Sequence, residues 1–524
     1  MRHVVAVAAL IAFLWVDFLP AAVPEPVSVE GGQVSGTASW GFGVRMYRGI
    51  PFAAPPVGVL RWRPPQPVVP WSGVRKADHF SSACMQEARA KFTAPWNTGI
   101  SGYSEDCLYL NVWTPAQSVA DALPVMVWIY GGGGREGSGG EPLYDPSNLA
   151  KRGVVVVSFN YRVNVFGWMA HPELTTESAV HASGNYGALD QIAALRWVRA
   201  NIAAFGGDPA KVTIFGESGG SRSVNWVLAS PLSKGLVRAA IAQSHTVFGA
   251  MEGLSHAEAR GKAFAANIHA GNLADLRALS AEEIMAAYLK HPEGMNAAIV
   301  DGYFLPADIR TIYSHGQQTD VPLLTGGDHD EPGGPAHPGG APPSVTQYDA
   351  WVTQAYGEEG KRLLELYPAK HDADVKAAYT ALQRDANYAG HLAWAHYQLK
   401  TGHAPVWLYL FSYPVPEYTP TGKQAVRSSS PHGSEVPYMF DNLRYADRPW
   451  NEQDQRLAST MADYWVNFAV RLDPNGAGLP RWPAYSAASP LVLDIAAQTK
   501  ARPLLNPAGL ELLEAREAAS NTVN

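Results

Sequence analysis

The sequence of 524 residues is 47% hydrophobic and 17% charged, with a formal net charge of −7. This composition suits a large folded core and excludes an intrinsically disordered chain. Because the net charge is mildly negative and no run of like charges occurs, the composition also argues against a nucleic-acid partner.

The N-terminal segment has the pattern of an export signal. The first three residues supply a short positive start, residues 4–16 form an apolar run, and Asp17 ends that run. A run of this length is too short to span a bilayer but suits a signal peptide, which we assign to residues 1–22 with cleavage near Ala22. A retained membrane anchor is the alternative. No later segment is apolar enough to span a membrane, so the sequence predicts a secreted or periplasmic protein.

The chain contains two cysteines, Cys84 and Cys107. In an exported protein, an even pair at short spacing most simply forms one disulfide. Two cysteines cannot make a four-ligand zinc site on their own. The sequence therefore predicts one disulfide and neither a metal nor a cofactor.

Short, nearly continuous apolar runs recur through the chain, as expected of parallel strands buried on both faces. The predicted strands are 125–130, 154–159, 212–215, 239–243, 321–325, 406–411 and 491–495. Residues 189–202 carry apolar side chains at helical spacing. This alternation predicts an α/β fold with one open, mostly parallel sheet and helices on both faces. Residues 331–343, rich in proline and glycine, are predicted to form a loop.

The segment 211–220 contains the strongest catalytic signal. Residues 212–215 form an apolar strand, and Gly216, Ser218 and Gly220 follow it as G-x-S-x-G. Glycines at these positions let a strand turn sharply into a helix and leave the serine hydroxyl at the tip of a strained turn. By itself, the motif also fits an ordinary glycine–serine turn in a glycine-rich chain.

A second glycine-rich turn, Gly131 to Gly134, directly follows the predicted strand 125–130. Its backbone N–H groups could donate to the oxyanion of a tetrahedral intermediate, together with the N–H of Gly219. A flexible loop or a phosphate-binding loop is the alternative. No Lys-Ser/Thr pair completes a P-loop here, however, and no G-x-G-x-x-G opens a helix.

Several further segments carry a family resemblance. They are Tyr47-Arg-Gly-Ile-Pro-Phe-Ala53, Pro55-Pro-Val-Gly58, Ser104-Glu-Asp-Cys-Leu-Tyr-Leu-Asn111, Asn160-Tyr-Arg162, Gly184-Asn-Tyr-Gly-Ala-Leu-Asp190 and Phe205-Gly-Gly-Asp-Pro209. With these motifs the chain resembles, over nearly its whole length, the type-B carboxylesterases, the family of carboxylesterases, lipases and cholinesterases. The resemblance implies a single α/β-hydrolase domain over residues 23–524, with long loop insertions over the active site.

The resemblance also implies a catalytic triad. The family nucleophile corresponds to Ser218, the acid to Glu331, and the base to His432, which opens an H-G-x-E motif. The chain order of serine, acid and histidine is the order that the α/β-hydrolase fold requires. Asp328 or Asp330 would take the place of the acid if the correspondence were displaced by a few residues.

The same resemblance implies further residues of the site. Gly132 and Gly133 correspond to the family's oxyanion donors, and Gly219 follows the nucleophile. Cys84 and Cys107 match the family's first disulfide. The expected oxyanion hole therefore consists of three backbone N–H groups.

Two arginines depart from the family pattern. Arg135 follows the oxyanion glycines, where the family usually has an aromatic residue, and Arg222 lies four positions after Ser218, where small residues are usual. Because guanidinium groups bind carboxylates in a bidentate way, they would favour a bulky or anionic acyl group, such as the tricarballylate that fumonisin esterases of this family release. The alternative is that both arginines point away and pair with acids such as Glu136 or Asp190.

These features predict an exported serine carboxylic ester hydrolase that forms an acyl-enzyme with a small-molecule ester. The alternative to a polycarboxylate ester is a general carboxylesterase or lipase acting on neutral esters. A non-catalytic binding protein, like the cholinesterase-like adhesion proteins, is a further alternative, which the intact Ser218, Glu331 and His432 argue against. Since the base must be neutral, activity is expected to fall below about pH 6.5 as His432 is protonated.

Overall fold

The computed structural model describes residues 23–519, apart from residues 24, 39–42, 88–99, 101, 247, 293, 418–425 and 446–447. The predicted signal peptide, residues 1–22, lies outside the described part of the chain. None of the described helices is long and apolar enough to cross a membrane. Within the same residues, no group of three or more His, Cys, Asp or Glu side chains is placed to hold a metal ion.

The strands are distributed along the whole described chain. They are β1 Val27–Val29, β2 Gly32–Ser35, β3 Thr37–Ala38, β4 Arg45–Pro51, β5 Val74–Lys76, β6 Ala83–Cys84, β7 Tyr103–Ser104, β8 Tyr109–Thr114, β9 Leu123–Ile129, β10 Val155–Phe159, β11 Gly207–Glu217, β12 Ala239–Gln243, β13 Leu323–Asp328, β14 Val406–Phe411, β15 Leu491–Ile495 and β16 Lys500–Pro503.

The α-helices begin after the first nine strands. They are α1 Ser147–Ala150, α2 Asn164–Trp168, α3 Pro172–Glu177, α4 Tyr186–Asn201, α5 Gly219–Ala229, α6 Leu254–Asn267, α7 Leu273–Ala278, α8 Ala281–Lys290, α9 Ile309–Ser314, α10 Val345–Tyr356, α11 Gly360–Leu366, α12 Val375–Thr401, α13 Val436–Met439, α14 Glu452–Arg471 and α15 Pro507–Ala519.

One sheet of eleven described strands organises the fold, in the spatial order β16-β15-β14-β13-β12-β11-β9-β10-β8-β4-β3. Neighbouring strands are parallel from β15 to β10, and the flanking pairs at both ends are antiparallel. Helices α4, α5, α12 and α14 pack against this sheet. The predicted α/β fold with a mostly parallel sheet is confirmed. Each of the seven predicted apolar runs forms one strand of the parallel region, and residues 331–343 form a loop.

Strands β9 and β11 lie side by side, although β10 comes between them in sequence. The other edge of β9 pairs with β10, and the other edge of β11 pairs with β12. In open α/β sheets, such a switch in strand order creates a crevice at the carboxyl ends of the strands. Gly216 is paired with Ile129, so the turn that contains Ser218 and the glycine run from Gly131 leave the sheet next to each other.

An aromatic cluster fixes these two strands in register. The ring of Trp128 on β9 lies 4.9 Å from that of Phe215 on β11 and 5.0 Å from that of Phe440, which follows α13. Tyr144 adds a fourth ring at 5.1 Å from Trp128. All four side chains are buried, and each such pair contributes about 0.5–1.5 kcal/mol beyond its area burial. Packing therefore holds β9, β11 and the segment around α13 together.

Substitution of Gly220 tests how closely the start of α5 approaches β9. An added Cβ at Gly220 would lie 1.9 Å from the carbonyl oxygen of Ile129. Because the obstructing atom belongs to the backbone of a central strand, Gly220→Ala should lower the free energy of unfolding by about 1–3 kcal/mol. Urea denaturation of the wild type and the variant measures this loss.

Gly249→Ala is the matched control. An added Cβ at Gly249 meets no atom within 4 Å, so its effect should stay within about 0.5 kcal/mol. Equal urea midpoints for the two variants would contradict the close packing of α5 on β9.

Candidate active site

Ser218 lies at the turn between β11 and α5. Its backbone dihedrals are φ 56° and ψ −120°, a conformation that residues with a side chain seldom adopt, so the turn is strained. Gly216 and Gly220 permit the turn, since an added Cβ at Gly216 would lie 2.6 Å from the backbone of Gly220. The turn leaves Ser218 half-buried at the wall of a cavity.

His432 and Glu331 reach Ser218 from the ends of two other strands. His432 follows β14, and its Nε2 lies 2.8 Å from Ser218 Oγ. Its Nδ1 forms a short hydrogen bond with Oε1 of Glu331, a buried side chain that follows β13. The three side chains thus have the arrangement of nucleophile, base and orienting acid found in hydrolytic triads.

The neighbouring acids have other partners. The carboxylate of Asp328 accepts a hydrogen bond from the backbone N–H of Ser434 at 3.1 Å. The carboxylate of Asp330 accepts one from the backbone N–H of Ser430 at 2.7 Å. Of the three acids considered from the sequence, Glu331 is the one whose carboxylate contacts the histidine ring.

The predicted oxyanion loop packs directly on the nucleophile turn. An added Cβ at Gly219 would lie 2.8 Å from the backbone nitrogen of Gly133. Gly132 and Gly133 adopt φ values of +92° and +63°, and Asn296 Nδ2 donates to the Gly133 carbonyl at 3.0 Å. The structure therefore brings the three predicted donor glycines together in the lining of the cavity beside Ser218.

The oxyanion loop is connected to the disulfide. Cys84 and Cys107 form the predicted disulfide. Two residues beyond Cys84, the amide of Gln86 donates to the carbonyl of Gly137 at 2.9 Å and accepts from its N–H at 2.8 Å. Sequence reasoning missed Gln86, because its partner lies 51 residues away and no local pattern indicates the contact.

A second buried carboxyl group, that of Glu217, lies beside His432. Glu217 immediately precedes the nucleophile, and its Oε1 is 3.2 Å from His432 Nε2. Burial raises the pKa of Glu217, and the neighbouring His432 lowers it, so the two groups titrate as a coupled pair. The sequence analysis treated this position only as a variable residue of G-x-S-x-G, although an acid next to the nucleophile was a visible signal.

The two carboxyl groups change the pKa of the base. Burial by itself lowers the pKa of His432, but Glu217 and Glu331 outweigh it and raise that pKa above the ordinary value. The ordinary histidine pKa is about 6.5, and the active base is neutral. For His432 as the predicted base, the acidic limb of the activity profile is therefore expected at a higher pH than the sequence indicates.

Both predicted arginines line the cavity at Ser218. This cavity has a volume of about 660 Å³, and Arg135, Arg222 and His245 belong to its lining. The guanidinium of Arg222 lies 5.4 Å from the ring of Trp226, and its Nε has no hydrogen-bond partner within the described chain. Burial lowers the pKa of His245 to about 3, and Arg222 adds to this effect, so the imidazole is neutral.

Of the two acids considered from the sequence as partners of the arginines, Asp190 is paired with another residue. Asp190 is buried in an ion pair with Arg162 at 2.8 Å, and Glu136 lines the same cavity as the arginines. Burial lowers the pKa of Arg222, and the charge of Arg135 lowers it further. Two guanidinium groups thus share one cavity, and the charge of Arg135 disfavours that of Arg222.

A further part of the cavity lining comes from α8 and the segment after it. The residues are Met285, Tyr288, Leu289, Pro292 and Asn296. The first three lie on one face of the helix, since positions three and four apart are neighbours. Sequence reasoning did not identify them, because the apolar face of a helix does not reveal what it covers.

Glu217→Gln should move the acidic limb of the pH–activity profile to lower pH. Removal of the carboxyl group removes one of the interactions that raise the pKa of His432, so the base stays neutral at lower pH. In the pH profile of kcat/KM for p-nitrophenyl acetate, the midpoint of the acidic limb is expected to move down by about one pH unit.

The exposed Glu358→Gln is the matched control and should leave the profile in place. An acidic limb that does not move in Glu217→Gln would show that Glu217 has no influence on the base.

Comparison with known proteins shows the family of the whole chain. Residues 24–512 match the carboxylesterase family. The chain is 39% identical over 470 residues to the fumonisin B1 esterase of Sphingopyxis macrogoltabida. This alignment covers 87% of this chain and 84% of the esterase. It is 34% identical over 483 residues to the para-nitrobenzyl esterase of Bacillus subtilis, with 88% and 92% covered.

Solved structures give the same result. A PNB esterase structure superposes on this chain with a TM-score of 0.77 at 31% sequence identity. The superposition covers 93% of this chain and 99% of the other. The similarity therefore extends over the whole α/β architecture.

Proposed function

Because the chain belongs to the carboxylesterase family and is a carboxylic ester hydrolase, we propose that it hydrolyses its substrate through an acyl-enzyme on Ser218. The hydrogen bond between His432 Nε2 and Ser218 Oγ carries this proposal, because a serine hydroxyl is a weak nucleophile without an adjacent base. Glu331 on the other ring nitrogen orients the imidazole and stabilises its charged form.

The reaction has two stages. In acylation, Ser218 Oγ attacks the ester carbonyl carbon while its proton passes to His432 Nε2, and the N–H groups of Gly132, Gly133 and Gly219 stabilise the oxyanion. The C–O bond to the alcohol then breaks, and the alcohol leaves with the proton from His432. In deacylation, water gives a proton to the same nitrogen and attacks the acyl-enzyme, which releases the acid and regenerates Ser218.

The acyl group of the substrate is anionic. Arg222 supports this assignment, because its guanidinium faces the cavity at the nucleophile with burial opposing its charge. A buried cation without a compensating anion is costly, and a carboxylate on the acyl group supplies that anion with bidentate geometry. The relative named fumonisin B1 esterase makes a tricarballylate ester the first substrate to test. A general carboxylesterase or lipase acting on neutral esters is the competing function.

Export is part of the proposal. The pattern of residues 1–22 is that of a signal peptide, and the disulfide between Cys84 and Cys107 suits an oxidising compartment. Residues 23–524 would then form the mature protein, a single α/β-hydrolase domain. N-terminal sequencing of secreted or periplasmic material would identify the cleavage site.

Ser218→Ala should abolish hydrolysis of p-nitrophenyl acetate. Removal of a triad nucleophile lowers kcat by about 10⁴–10⁶-fold in serine hydrolases, since only the oxyanion donors and binding remain. The exposed Ser314→Ala is the control and should retain wild-type activity. Activity in Ser218→Ala near the wild-type level would exclude the acyl-enzyme on this residue.

Arg222→Gln should lower kcat/KM for a tricarballylate ester selectively. A charge-assisted hydrogen bond contributes about 1.5–3 kcal/mol, so a loss of about 10–100-fold is expected for the anionic ester, while p-nitrophenyl acetate changes little. The exposed Arg481→Gln is the matched control for loss of one positive charge. Equal effects of Arg222→Gln on both esters would favour the competing function on neutral esters.

A further inference from the structure

The active-site cavity contains a second group of polar side chains besides Arg222. Arg135 follows the oxyanion glycines, and Tyr288 lies on α8, yet both line the same cavity as Ser218. Arg135 is exposed, whereas Arg222 is half-buried on the helix that begins at the nucleophile. The cavity therefore has an inner cationic group next to the nucleophile and an outer one towards solvent.

Tyr288 is an unusual lining residue. Its side chain is only 3% exposed, and its hydroxyl oxygen is buried without hydrogen-bond geometry to any described residue. Burial raises the pKa of Tyr288, and the neighbouring Arg135 opposes this effect. At neutral pH the hydroxyl keeps its proton, its oxygen lies within reach of the guanidinium of Arg135, and its O–H can donate to a ligand in the cavity.

We infer that Arg135 and Tyr288 form an outer anion subsite, so that the preferred acyl group carries two free carboxylates rather than one. This inference rests on the proposed function, in which Arg222 binds the inner carboxylate. The outer carboxylate accepts hydrogen bonds from the guanidinium of Arg135 and from the hydroxyl of Tyr288.

The charges that line the cavity favour a dianion over a monoanion. The charge of Arg135 lowers the pKa of Arg222, so the two cations repel each other. A single carboxylate on Arg222 leaves Arg135 and the Tyr288 hydroxyl without a ligand. Two carboxylates on one acyl chain compensate both cations and accept from the hydroxyl, and the neutral His245 in the same lining adds no third charge.

Two acids, Glu87 and Glu136, also line the cavity. Glu87 is exposed and Glu136 is half-buried. They oppose the binding of an anion, so the subsite depends on direct contacts with Arg135 and Tyr288 and not on a general positive potential. Removal of one hydrogen bond from Tyr288 should therefore be measurable even though the charge of the cavity is unchanged.

The experiment compares three p-nitrophenyl esters that differ in free carboxylates: the acetate with none, the hydrogen succinate with one, and the monoester of tricarballylic acid with two. Tyr288→Phe and Arg135→Gln should lower kcat/KM for the tricarballylate ester about tenfold or more, mainly through KM. Hydrolysis of the acetate and the succinate should change less than about threefold. The half-buried Tyr303→Phe and the exposed Arg481→Gln are matched controls.

Each outcome has a distinct meaning. Loss confined to the tricarballylate ester in Tyr288→Phe supports the outer subsite, and retained acetate hydrolysis shows that the variant is folded. If Tyr288→Phe and Arg135→Gln affect succinate and tricarballylate equally while Arg222→Gln remains selective for anionic esters, the outer subsite is overturned and the proposed function stands. If Arg222→Gln is also unselective, both are overturned.

Inhibition of acetate hydrolysis by the free acids gives a second measurement that involves no turnover of an anionic ester. Free tricarballylate should inhibit the wild type more strongly than succinate, and Tyr288→Phe should remove most of this difference. Equal inhibition by the two acids in the wild type would overturn the outer subsite.

Discussion

The pairing of β11 with β9 is the constraint on which the active site depends. Gly216 lies opposite Ile129, so the strained turn at Ser218 and the glycine run after β9 leave the sheet as neighbours. The turn can retain its unfavourable backbone conformation because aromatic packing and the close approach of Gly220 to β9 leave it no alternative. The buried packing between β9, β11 and the start of α5 thus holds the strained backbone of Ser218 in place.

Charge is arranged asymmetrically about the catalytic histidine. Behind His432 lie the buried carboxyl groups of Glu217 and Glu331, which raise its pKa, and deeper still that of Asp328. Burial and the neighbouring acids Glu435 and Glu331 raise the pKa of Asp328 well above its ordinary value. On the other side of the ring lies the cavity, whose lining contains both arginines and also Glu87 and Glu136. In the proposed mechanism, this arrangement stabilises the protonated imidazole of the transition state.

The sequence was sufficient for the parts of the site that follow strand ends. That Ser218, Glu331 and the predicted oxyanion glycines lie together follows from local motifs next to apolar strands. His432 was found through its H-G-x-E motif, although it lies well beyond the end of β14. The proximity of Glu217 to the histidine could not, because it depends on a contact across more than two hundred residues of chain. The position of Tyr288 in the cavity lining could not be predicted for a different reason, because a tyrosine on an amphipathic helix is usually a packing residue.

The most direct test of this account is covalent labelling with a fluorophosphonate probe, followed by intact mass measurement and peptide mapping. The account predicts one phosphonyl group per chain, located on Ser218 and absent from Ser218→Ala, since a serine activated by a neighbouring histidine reacts selectively. A chain that takes up no probe, or that takes it up on another residue, would contradict the account and would favour a binding protein on this fold.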